Sequence, residues 1–187
     1  PSSAEFSRFA NQKGRAVSDG QAVTVYITGD YEAKKTVILG DGGTSVTFDS
    51  IPAGARVRVV CAFQIIPGID DDSQNVKGAI GESDEIVIES GKEQEAAVAM
   101  KKIKLSGSGN IVRIVYDNGG TSEQPIYLAG TEKYEFSFNN SGERNNYTDY
   151  TASHSLTEGD YYYNYAVTAK IFYGSTPVLR LTIPYNA

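Results

Sequence analysis

The stretch Phe48-Asp49-Ser50-Ile51-Pro52-Ala53-Gly54-Ala55-Arg56-Val57-Arg58-Val59-Val60-Cys61-Ala62-Phe63-Gln64-Ile65 decides the fold class. Val57, Val59, Cys61, Phe63 and Ile65 fall on one face of an extended chain, and Arg56 and Arg58 on the other. Side chains alternate across a strand, so this period marks a long half-buried β-strand. Pro52-Ala53-Gly54 precedes it as a turn, because Pro pre-sets φ and Gly accepts the positive φ of a tight reversal. A shorter strand with Val46 and Phe48 inward leads into that turn.

The same alternation extends in both directions. Upstream, Val23, Val25 and Ile27 predict a strand ended by Gly29-Asp30, and Val37–Leu39 a shorter one closed by Gly40-Asp41-Gly42-Gly43. Downstream, strands are expected near Ala79–Ile80, at Ile86–Ile88 and over Gln94–Met100, the last with Ala96, Val98 and Met100 inward. Ser106-Gly107-Ser108-Gly109-Asn110 has the composition of a flexible connector and predicts a domain boundary. Beyond it, strands are expected at Ile111–Tyr116, Ile126–Ala129, across Tyr134, Phe136 and Phe138, and over Tyr147–Ala152. Asn139 to Asn146 reads as a polar loop. Tyr161, Tyr163, Tyr165, Val167, Ala169 and Ile171 form one inward row, and Leu179, Leu181 and Ile183 the last strand. No segment carries an amphipathic helical period with caps. The expected architecture is all-β: two tandem antiparallel β-sandwich (immunoglobulin-like) domains. Residues 1–20 are a flexible N-terminal arm with a short helical turn at Ala4–Asn11. Residues 21–105 form the first module and 110–187 the second.

Composition bounds the function. The chain has 187 residues, 40% of them apolar, enough for a core in each half. Net charge is −6 and the isoelectric point near 4.8. That balance argues against nucleic acid and anionic lipid as partners, since phosphate binding needs a dense Lys/Arg surface. Cys61 is the one cysteine, so no internal disulfide can form, and it reads as a small buried hydrophobe. No apolar run reaches the roughly 20 residues of a membrane-spanning helix. Pro1 to Gly20 lacks the apolar segment of a signal peptide. An exported form would therefore be mature, with any lipid anchor upstream.

The Phe48–Val59 segment, with its strand, Pro-x-Gly turn and long alternating strand, resembles the immunoglobulin-like, fibronectin-III-like and transthyretin-like modules of bacterial surface lipoproteins and secreted proteins. Glu85-Ile86-Val87-Ile88-Glu89-Ser90-Gly91-Lys92, continuing to Met100, looks like the closing hairpin of such a module. Leu156-Thr157-Glu158-Gly159-Asp160-Tyr161-Tyr162-Tyr163 is similar to the corner that opens a late strand there, where a Tyr hydroxyl bonds back to the backbone. The resemblance implies a non-catalytic surface or secreted protein, structural or adhesive, that binds a protein or glycan through loops or an edge strand. It leaves the ligand open, because fold does not give function.

Four groups of residues could carry chemistry. His154, with Ser153, Ser155 and Asp149 close in sequence, has the residue types of a hydrolase site, but no Gly-x-Ser-x-Gly elbow accompanies it, so the expectation is no catalytic residue. Asp70, Asp71 and Asp72, with Ser73, Glu82 and Asp84 as further candidates, could supply oxygen ligands to calcium. No other cofactor is expected. Tyr147, Tyr150 and Tyr162 could form a platform for sugar rings or for a protein partner, since Tyr combines contact area with a hydrogen-bonding tip. Asn139-Asn140-Ser141 and Asn146-Tyr147-Thr148 match glycosylation sequons, relevant only in a eukaryotic secretory setting.

Overall fold

Among the described residues, every regular element except one turn of 3-10 helix is a β-strand. The computed structural model describes residues 2–6, 21–40, 44–64, 75–120, 122–157 and 161–184. The chain divides into two compact units. One comprises Pro1–Phe63 with Ala79–Lys101, the other Gln64–Gly78 with Lys102–Ala187.

The first unit holds β1 (Ser2–Phe6), β2 (Ala22–Gly29), β3 (Ala33–Ile38), β4 (Val46–Ile51), β5 (Arg56–Gln64), β6 (Gly78–Glu82) and β7 (Ile86–Val87). Strand order in its sheet is β6-β5-β2-β3, with β7 pairing β5 and β1 pairing β4. Val25 lies opposite Cys61, and Ile27 opposite Val59, in the antiparallel β2–β5 ladder. Cross-strand partners share a face, so these residues pool into one core with Val46, Phe48 and Ile51 of β4 and with Ile88 and Val98. The alternation expected for β5 holds at its start, but Val59 through Phe63 are all buried, on both faces of the strand.

Turn chemistry reads as the sequence predicts. Gly54 takes φ +86°, Ala55 N–H donates to the Pro52 carbonyl at 3.2 Å, and Gly54 N–H donates to Ile88 at 2.8 Å. At the same end of β5, Gly29 takes φ +116°, and Asp30 reaches back to Arg56 twice. Asp30 N–H donates to the Arg56 carbonyl at 2.9 Å, and Arg56 N–H donates to the Asp30 carboxylate at 2.9 Å. Cys61 is fully buried, and burial pushes its thiol far above the ordinary value, which leaves it an inert hydrophobe.

The second unit holds β8 (Lys101–Ser108), β9 (Ile111–Tyr116), β10 (Lys133–Asn140), β11 (Glu143–Asp149), β12 (Ser153–Ser155), β13 (Ala166–Tyr173) and β14 (Thr176–Ile183). Within it β12-β9-β8 run side by side, and β11-β10-β13-β14 form a four-stranded sheet; all these pairings are antiparallel. The four-stranded sheet buries Tyr134, Phe136, Phe138, Val167, Ala169, Ile171, Leu179 and Leu181. The rings of Phe136 and Phe138 meet the ring of His154 on β12. Val76 adds a bridge to the edge of β14, exchanging two 3.0 Å backbone hydrogen bonds with Thr182.

Several expectations are corrected. Ser2–Phe6 is not arm or helical turn: its backbone pairs with β4. Ser106–Asn110 is no connector. Ser106, Gly107 and Ser108 finish β8, Gly109-Asn110 is a two-residue hairpin turn with Gly109 at φ +60°, and Ile111 opens β9 opposite Ser108. A Gly-rich composition serves hairpins as well as linkers. The units are also not consecutive stretches, because Gln64–Gly78 belongs with the second. Asn139–Asn146 is not a loop but the β10–β11 hairpin, turning at Ser141-Gly142. Gln94–Met100 keeps the expected facing, with Val98 buried between exposed Ala97 and Ala99, yet it belongs to no strand. Ile126–Ala129 likewise is no strand; Pro125 alone bridges to Val115. The chain bends at Tyr150–Ala152 between β11 and β12. Tyr161 and Tyr163 do not face inward, since Tyr162–Asn164 is the 3-10 turn and β13 begins only at Ala166.

Candidate functional site: an aspartate–histidine pair and a tyrosine turn

The β10–β11 register places Tyr147 opposite Phe136 and Asp149 opposite Tyr134. Tyr147 and Asp149 therefore share the inward face with the phenylalanines. On the facing sheet, β12 pairs with β9 so that His154 lies opposite Val112, which is fully buried. The two edge strands, β11 and β12, thus bring Asp149 and His154 together at one side of the unit.

His154 Nδ1 lies 2.8 Å from Asp149 Oδ2. Its side chain is 8% exposed and that of Asp149 26%. The imidazole stacks on Tyr147 at 4.4 Å between centroids, with Phe138 at 5.5 Å and Phe136 at 5.7 Å. In the neutral tautomer that Asp149 selects, Nδ1–H donates to the carboxylate and Nε2 keeps a lone pair. That Nε2 is buried and has no hydrogen-bond partner.

An Asp–His pair with a free Nε2 is half of a nucleophile-activating relay. The other half is not assembled. Ser153 and Ser155 neighbour His154 along β12, and strand alternation sends them to the opposite face. No group of three His, Cys, Asp or Glu side chains that could hold a metal occurs among the described residues. What the arrangement does is join the two sheet edges through one hydrogen bond and a stacked ring.

Of the three tyrosines expected to form a platform, only Tyr150 is well exposed, at 77%. Tyr147 gives one face to His154. Tyr162 lies on Gly107: a Cβ at that position would fall 2.7 Å from the ring. A glycine in β8 thus makes the seat for an aromatic ring.

Two further exposed rings lie one residue to either side of Tyr162. Tyr161 and Tyr163 are 45% and 54% exposed and stack on each other, with centroids 5.4 Å apart and planes 18° from parallel. Tyr162 meets Tyr163 edge-on at 5.3 Å. The turn is closed by Asn164 N–H to Tyr161 and Tyr165 N–H to Tyr162, at 2.9 and 3.2 Å, and Tyr165 packs edge-on against Phe138. Sequence alternation pointed to Tyr162 as the outward ring; the 3-10 turn reverses that assignment.

Asp70, Asp71 and Asp72, the expected calcium ligands, lie outside the described residues, as does Ser73. Asp84 is exposed and Glu82 half-buried. Both sequon asparagines are engaged: Asn139 Oδ1 accepts from Arg144 at 2.6 Å and Asn146 Oδ1 from Ser137 at 2.7 Å.

One charged group escaped sequence reading. Lys77 and Lys104 both reach Asp117, at 3.3 and 3.9 Å, and Lys104 also reaches Glu123 at 3.3 Å. Ser106 Oγ donates to Glu123, and this bond, with Lys104 and Arg113 nearby, lowers the Glu123 pKa. Nothing in the spacing of residues 77, 104, 117 and 123 signals the association. A lowered folded-state pKa contributes stability above the unfolded value, and that contribution is lost as pH falls through the folded one. Ser106→Ala should therefore move the Glu123 titration upward, toward an ordinary glutamate, in a carboxyl-carbon NMR titration. An unmoved midpoint would show that the lysine, not the serine, sets it.

The geometry defines an all-β protein of antiparallel sheets, and no helix of the described residues is long and apolar enough to cross a membrane. No protein-family model matches the chain, and neither a curated protein nor a solved structure is significantly similar to it.

Proposed function

We propose that the chain is a non-catalytic structural or adhesive part of a bacterial cell-surface or secreted protein. In this reading its two units are immunoglobulin-like sandwiches, and it engages a protein partner through the loop between β12 and β13. The observation that carries the reading is the stacked pair Tyr161 and Tyr163. Two large rings stand about half exposed on a turn braced by Tyr162 against Gly107. Rigid exposed tyrosines are the type of residue that dominates binding energy at interfaces, because little side-chain entropy remains to be lost.

The test is a binding screen of the chain and of a Tyr161→Ala/Tyr163→Ala variant against immobilised extracellular-matrix proteins and glycans. Protein binding should weaken roughly tenfold or more in the variant, since two hot-spot tyrosines commonly contribute over 1.4 kcal/mol. Melting should stay unchanged because both rings are exposed. Equal binding by the two proteins would remove this surface from consideration. Binding to glycans alone would move the reading to a carbohydrate-binding accessory protein.

A further inference from the structure

The same two rings have a chemical capacity that does not depend on any partner. We propose that Tyr161 and Tyr163 are an oxidative modification site, where a one-electron oxidant of the haem-peroxidase class joins them into an intramolecular dityrosine.

Accessibility is the first requirement, and both rings meet it at 45% and 54% exposure. Proximity is the second. A centroid separation of 5.4 Å with planes 18° from parallel holds the two rings stacked beside each other, so that small rotations can bring ortho carbons together. Each phenol gives up one electron and one proton, leaving a phenoxyl radical with spin density on the carbons ortho to oxygen. Two such radicals form one carbon–carbon bond between ortho positions. Each of those carbons then loses its hydrogen as the ring regains aromaticity, and a proton returns to each phenolate oxygen. The chain loses two hydrogen atoms in all. The two electrons and two protons go to one hydrogen peroxide, which becomes two waters through the peroxidase.

The competing tyrosines are arranged differently. Tyr127 and Tyr150 are more exposed, at 80% and 77%, but neither stacks on another tyrosine among the described residues. Their radicals must find a second chain. Tyr162 meets Tyr163 edge-on and lies on Gly107, which holds its ring out of the stack. Prior positioning gives the stacked pair an effective concentration far above that of any second molecule in dilute solution. The bond would staple the residues flanking Tyr162 and lock the 3-10 turn that leads into β13.

The full chain, dilute, is treated with a haem peroxidase and limiting hydrogen peroxide. The expected product migrates as a monomer, has lost two hydrogen atoms in intact mass, shows dityrosine fluorescence, and carries the link between Tyr161 and Tyr163 in fragment spectra. Tyr161→Phe and Tyr163→Phe keep both rings and should retain the wild-type circular dichroism, yet each should lower the yield of internal link by roughly tenfold or more. Tyr150→Phe should leave it unchanged. An internal link retained in the Phe variants, a link mapped to another pair, or covalent dimers without an internal link would overturn the proposal.

Discussion

Gly29→Ala is expected to destabilise the protein by roughly 3 kcal/mol or more, which for a chain of this size lowers the melting temperature by about 10 °C. Two costs combine at that position. The backbone holds φ +116°, a region that L side chains rarely adopt. An added Cβ would also fall 2.3 Å from the Arg56 carbonyl oxygen and 3.2 Å from Val57 Cα. Those atoms are backbone of β5, which lies between β6 and β2 in the first unit's sheet, so they cannot step aside as a flexible side chain can. The two Asp30–Arg56 hydrogen bonds, formed because the chain turns so closely there, would be strained with them. Gly40→Ala is the matched control. Nothing lies within 4 Å of its Cβ, and the change should stay within about 0.5 kcal/mol. Thermal melts of both variants decide the matter: a Gly29→Ala midpoint close to wild type would mean that the β2–β5 end can relax at little cost.

His154→Ala should cost about 3 kcal/mol, and His154→Phe less than about 1.5. Alanine removes a ring in contact with Tyr147, Phe136 and Phe138 and leaves a cavity between the sheets. It also strips Asp149 of its hydrogen bond, although that carboxylate is 26% exposed and can turn to water. Phenylalanine keeps the stack and removes the orphaned Nε2, a buried acceptor whose lack of a partner itself costs stability. The comparison separates two accounts of the pair. If packing is what matters, Phe rescues most of the loss seen with Ala in denaturant titration. If the Asp149 hydrogen bond matters most, Phe fails as badly as Ala, and Asp149→Leu shows the same loss.

Strands with one buried face were legible because their apolar residues recur at every second position: Val23, Val25 and Ile27, or Tyr134, Phe136 and Phe138. β11 was not, because Glu143, Arg144 and Asn146 are exposed and the strand is held by its ladder to β10 rather than by burial. Ser106–Asn110 misled for a related reason. Its small residues serve specific neighbours, with Ser106 bonding Glu123, Gly107 seating Tyr162 and Gly109 turning the hairpin. Glu123 and Tyr162 are far away in sequence. The run Tyr161–Tyr165 keeps period two and so reads as strand, but one turn of 3-10 helix shifts the facing, and aromatic residues suit exposed turns as well as cores. For the site, the sequence named His154 and Asp149. Their contact depends on β9 holding β12 in place, which is information carried by Val112 rather than by either residue of the pair.

The polypeptide passes from one unit to the other after Phe63, returns after Gly78 and leaves again after Lys101. Val76, on the middle excursion, is stitched to Thr182 by two backbone bonds. Proteins assembled from independent beads can gain, lose or reorder them by recombination, since each bead is one uninterrupted piece of gene. In this chain neither unit is one uninterrupted stretch. A fragment of residues 102–187 would omit Val76 and its two backbone hydrogen bonds to Thr182 of β14. Each unit thus draws on stretches of chain that are separated in sequence by residues of the other.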